Sequence, residues 1–148
     1  MIFKFLPGVA IVLSVMALAG CATDNKVSYV DGVQANDAPY LARSITEFVS
    51  QELSPAATTL AIQPPQESQS GNALTPALHQ QLASAGFGIA SPDQHVPGAH
   101  TLRYLVSPLS GGLLVRLNFD MTQANRWYVR NSAGQLQPGS PFTVNGSK

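Results

Sequence analysis

Apolar residues recur along this chain with three different periods, and each period predicts a different element. Between Val9 and Ala19 they form a run interrupted only by Ser14. Further on, Leu41, Ile45, Phe48, Val49 and Leu53 fall at i, i+4, i+7, i+8 and i+12, which is one face of a helix. Arg43, Glu47 and Gln51 lie on its other faces. Asn36 or Asp37 can cap the start, Pro39 is tolerated in a first turn, and Ser54-Pro55 ends the pattern, so the helix is expected over about 39–53. A second helix, over about 73–85, follows from Leu74, Leu78 and Leu82 with Ala77 and Ala85 beside them. Thr75-Pro76 offers it a start two residues later, and Gly86 suits a left-handed stop.

Elsewhere the period is two. Thr58–Gln63 reads as a strand closed by Pro64-Pro65, and Phe87-Gly88-Ile89 enters another. From Thr101 the chain reads as a meander. Leu102, Tyr104 and Val106 alternate with Arg103, Leu105 and Ser107, and Leu113, Val115, Leu117 and Phe119 alternate with Leu114, Arg116, Asn118 and Asp120. Strands at 126–130 and 142–144 follow, the last placed at an edge by Pro138 and Pro141. Turns are expected at Ser110-Gly111-Gly112, near Met121-Thr122-Gln123, and at Asn131-Ser132-Ala133-Gly134. This order predicts an α+β fold, with two helices packed on one face of a mainly antiparallel sheet of about five strands. Tyr104, Val106, Val115, Leu117, Trp127 and Val129 are expected to point inward. Arg103, Arg116 and Asn118 point outward with some of Arg126, Tyr128 and Arg130, and a one-residue slip in the last strand reverses its assignment.

The first apolar run has a different use. It is 11 residues long and follows Lys4, whereas a spanning helix needs roughly 20 apolar residues, so it reads as an export signal. It ends in Leu18-Ala19-Gly20-Cys21, which carries the only cysteine of the chain and resembles the lipobox of bacterial lipoproteins. That resemblance implies cleavage between Gly20 and Cys21, diacylglycerol on the Cys21 sulfur and usually a third acyl chain such as palmitate on the new amino group. Ala22, in place of a retaining Asp, implies the outer membrane with the domain facing the periplasm. One acyl chain holds a protein only marginally, and two or more anchor it. The other reading is a plain secretory signal with an incidental or buried thiol.

The organisation that follows is a signal peptide at 1–20, a lipidated cysteine and flexible tether at 21–36, and a single periplasmic domain at 37–148. Residues 22–36 are small and polar, with Val27, Tyr29, Val30 and Val33 as the residues that would order on a partner. Removing residues 1–20 takes away Lys4 and leaves seven basic against eight acidic side chains, a formal charge of −1. So even a balance gives no footprint for nucleic acid. One thiol allows no disulfide within the chain, and packing alone must supply stability.

Candidate chemistry is thin. His95 and His100 lie in a loop region with Asp93 nearby, and His79 is on a polar helix face; they read as surface histidines rather than a metal site. Ser110-Gly111-Gly112 lacks the pattern of a nucleophile elbow, and the carboxylates do not cluster. No catalytic set, cofactor or metal is expected. The one constellation is the basic row Arg103, Arg116, Arg126 and Arg130 with Tyr128. It is a candidate docking face for an acidic partner surface, and otherwise an ordinary solvated sheet face.

Leu78-x-x-x-Leu82-x-x-x-Gly86-Phe87, Leu102-Arg103-Tyr104, Val115-Arg116-Leu117, Arg126-Trp127-Tyr128 and Pro138-Gly139 together resemble the TrbH family of conjugal transfer lipoproteins, as does Pro55-Ala56-Ala57-Thr58-Thr59. The resemblance implies a structural or assembly component of the conjugative type IV secretion (mating-pair formation) apparatus. Such a component contacts other channel subunits, can form an oligomer within the complex, and works by position rather than catalysis. Two other readings stay open: an envelope lipoprotein that recruits or regulates a cell-wall enzyme or binds peptidoglycan, and a periplasmic hydrolase.

Overall fold

The structure, a computed structural model, describes residues 27–146. The signal segment, Cys21 and residues 22–26 lie outside the described residues. The first long element is α1, Ala38–Glu52, with Leu41, Ala42, Ile45, Phe48 and Val49 buried along the predicted face. Asp37 occupies the position before it, but with helical backbone and no side-chain cap bond. Its carboxylate is used elsewhere, as described below. Helix α2, Leu74–Ser84, buries Leu74, Leu78 and Leu82. Its first turn is fastened by Asn72, whose Oδ1 accepts the Thr75 N–H at 2.8 Å. It ends at Gly86, φ 105°, where the Gly86 N–H donates to Ala83 O and the Phe87 N–H to Leu82 O. That is the paired-bond glycine stop the sequence predicts, with Phe87 buried behind it.

The sheet is larger than expected, eight strands rather than about five, and it is mixed. Its strands are β1 Tyr29–Val30, β2 Thr59–Ile62, β3 Gly88–Ala90, β4 His100–Leu109, β5 Gly112–Phe119, β6 Thr122–Arg130, β7 Leu136–Pro138 and β8 Thr143–Asn145. The order is β3-β2-β4-β5-β6-β7, with β1 also on β4 and β8 also on β6. β4, β5 and β6 form the antiparallel meander, while β2 runs parallel to both β3 and β4, and β1 runs parallel to β4. The parallel pairs follow from helical crossovers, since α2 carries the chain from β2 back to β3. β8 pairs with residues 123–125 of β6, beyond the stretch that β7 covers.

Residues 27–36, assigned to the tether by composition, are packed on the domain. β1 lies beside β4, Val30 is buried, and Val33 packs against the core. Ser28 is fully enclosed; its hydroxyl donates to Gln63 O and accepts the Tyr104 N–H. The packed chain therefore starts by residue 27 rather than 37. Both helices lie on one sheet face and pack against each other. Their shared core takes Leu60, Ile62, Leu102, Tyr104, Val106, Val115, Leu117 and Phe119 from the sheet. Among the described residues no helix is long and apolar enough to cross a membrane.

Candidate docking face

Strand pairing assigns every residue of the meander to a face. Arg103 stands opposite Asn118, and Asn118 opposite Gln123; Leu105 stands opposite Arg116, and Arg116 opposite Asn125; Ser107 stands opposite Leu114, and Leu114 opposite Trp127. Residues directly paired across strands point to the same side, and Tyr104, Val106, Val115 and Leu117 on the other side are fully buried. These three rows therefore form the sheet face that the helices leave open. Val129, opposite Gln137, belongs to it too.

The register of β6 is the reverse of the expected one. Leu113, Val115 and Leu117 pair with Tyr128, Arg126 and Ala124. Ala124, Arg126, Tyr128 and Arg130 therefore face the helices, and Trp127 and Val129, expected inward, face the open side. β6 starts at Thr122, four residues earlier than the pattern suggested, and its two faces mix polar with apolar side chains, so alternation could not choose between them. The predicted basic row is divided accordingly. Arg103 and Arg116 share the open face, while Arg126, Tyr128 and Arg130 lie beneath the helix layer.

Each of the three inward residues has structural work. The Tyr128 ring is fully buried, edge-on to Tyr40 at 6.0 Å between centroids, and its hydroxyl shares a 2.6 Å bond with Ser44 Oγ. Burial raises its pKa above the ordinary phenol value; the Ser44 bond and the Arg126 charge offset only part of that. Arg126 lies 5.3 Å from the Tyr128 centroid and 5.1 Å from that of Phe142. It donates from Nε to Ser140 O at 2.8 Å and from Nη1 to Ser44 Oγ at 3.3 Å. Phe142 stacks on Phe48 of α1 at 4.2 Å. Arg126 thus fastens the C-terminal segment to the sheet. Arg130 meets Asp37 through two bonds, Nη1 to Oδ1 at 3.0 Å and Nη2 to Oδ2 at 2.7 Å. Nothing local in the sequence signals this pair, which joins residues 93 apart.

Outside this face, α1 and α2 bound a shallow groove of about 470 Å³ whose lining includes Arg43, Glu47 and Gln81. Thr46 also lines it, and the buried Thr46 Oγ1 has no partner among the described residues. His100 Nδ1 pairs with Asp120 Oδ2 across the start of β4 and the β5–β6 turn. His79 is half-buried, and burial lowers its pKa. Among the described residues no three or more His, Cys, Asp or Glu side chains come together in a way that could hold a metal ion.

The described residues thus form a two-layer α+β domain with one sheet face left open by the helices. The chain belongs to the TrbH family of conjugal transfer proteins, whose model matches residues 22–147. No curated protein and no solved structure matches it.

Proposed function

We propose that this protein is an outer-membrane lipoprotein that serves as a structural or assembly component of a conjugative type IV secretion apparatus. The observation that carries the reading is the family match over residues 22–147, which begins directly after the Leu18-Ala19-Gly20-Cys21 segment. In this reading Cys21 receives the lipid, residues 1–20 are removed, and the domain is held in the periplasm against the inner leaflet. Its contribution is positional and non-enzymatic. The polar side chains of its interior tie elements together: Ser28 joins β1 to β4, Ser44 and Asp37 join α1 to β6, and Thr75 joins α2 to β4 at 2.6 Å from the Tyr104 hydroxyl.

Detergent extraction of mating-competent cells followed by affinity purification of the tagged protein tests this. Other transfer-apparatus subunits are the expected co-purifying species. A cell-wall synthase in their place would contradict the reading.

A further inference from the structure

The open sheet face is not uniformly polar. Tyr29 on β1 stands beside Leu105 on β4. Leu114 on β5 is diagonal to Leu105 and directly opposite Trp127 on β6. The Trp127 indole N–H donates to Leu109 O at 3.2 Å, laying the ring toward the β4–β5 turn. Tyr29 and Leu109 are 38% and 45% exposed, large values for such side chains. A band of apolar and aromatic side chains thus crosses β1, β4, β5 and β6. Arg103 and Arg116 border it on the side of the β5–β6 turn. The strand positions of this face hold no carboxylate; Asp31, one residue past β1, and Asp120, one residue past β5 and paired with His100, are at its edges.

The start of the described chain enters the sheet beside this face: Ser28 is bonded to the Tyr104 backbone and Tyr29 stands in the row of Leu105. Six chain steps separate Cys21 from Val27, and fully extended they reach at most about 20 Å. If Cys21 is lipidated, the edge of the open face is held within that distance of the headgroups. The sheet from β1 to β6 is three strand spacings wide, about 14 Å. Reach and face size therefore match.

We infer that the open sheet face, through Tyr29, Leu105, Leu114, Trp127 and Arg116, rests on the phospholipid headgroups of the leaflet that holds the lipid anchor. This rests on the anchoring proposed above. Tyr and Trp belong at such an interface because their rings carry one apolar and one polar end, and Arg116 meets anionic headgroups. The domain then lies flat on the membrane, with the α1–α2 layer turned toward the periplasm and its protein partners.

Trp127 is the only tryptophan of the chain, so its fluorescence reports on this face alone. The full-length protein, purified from cell membranes, is reconstituted into phosphatidylethanolamine–phosphatidylglycerol vesicles with or without brominated acyl chains. Flotation and the mass of the N-terminal peptide establish anchoring first. Quenching of Trp127 by the brominated lipid, with protection from aqueous iodide, is the expected result. Arg116→Glu, at an exposed position, should still float but show about two-fold less quenching. Protein that floats with Trp127 unquenched and open to iodide overturns the inference while leaving the anchor intact, and gives the face to a protein partner. Protein that carries no lipid and does not float overturns both.

Discussion

Asp37 and Arg130 show how much of this fold hangs on single residues. The Asp37 carboxylate is nearly enclosed, at 3% exposure, where α1 begins. Burial alone would raise its pKa, but the Arg130 hydrogen bonds, the Gln34 N–H and the Arg130 charge outweigh burial and hold it below the ordinary value of 3.8. With the folded-state pKa depressed, the pair stabilises fully above the ordinary carboxylate range, and that stabilisation is lost as pH falls through the depressed value. Urea unfolding measured from neutral pH downward should show wild-type stability falling below about pH 4, and Asp37→Asn should flatten that fall. Arg130→Ala leaves the enclosed carboxylate without its cation and should cost about 2–3 kcal/mol at neutral pH. At Tyr128 the effect is smaller. Tyr128→Phe removes one bond but leaves Ser44 Oγ its Arg126 donor, so about 1 kcal/mol is expected from the same unfolding curves.

At the scale of elements, the length of the hydrophobic pattern decided what could be read. α1, α2, β4 and β5 each repeat one period over eight residues or more, and their observed bounds lie within about two residues of the expected ones. β1 and β7 have two and three residues, too few to show any period, and they exist because β4 and β6 offer them an edge. The face of β6 depends on pairing that alternation did not encode. This explains why Arg103 and Arg116 could be placed from sequence while Arg126, Tyr128 and Arg130 could not. Close backbone contact is hidden in the same way. A Cβ on Gly112 would fall 1.9 Å from Tyr128 O, backbone that cannot yield without separating β5 from β6. Gly112→Ala should therefore lower stability by about 2 kcal/mol or more, read as a drop in Tm. A chain starting at Asp37 should likewise melt below one starting at Val27, because it loses the buried Val30 and the Ser28 bonds, a difference of about 2–3 kcal/mol.

For the whole molecule, the TrbH family supplies conjugal transfer, and the proposal adds a place for the domain in the envelope. Chain length links the two: the packed domain reaches back to Val27 and leaves residues 22–26 between it and Cys21. In the proposed reading this short link fixes the distance of the domain from the bilayer, and that distance is lost with the lipid. The direct measurement is a Cys21→Ser exchange in a mating-competent donor, followed through outer-membrane fractionation and transfer frequency. The variant should leave the membrane fraction and transfer plasmid at least about ten-fold less often, because a single-chain or unlipidated form does not stay bound. A variant that still fractionates with the outer membrane and mates at the wild-type frequency would contradict the account.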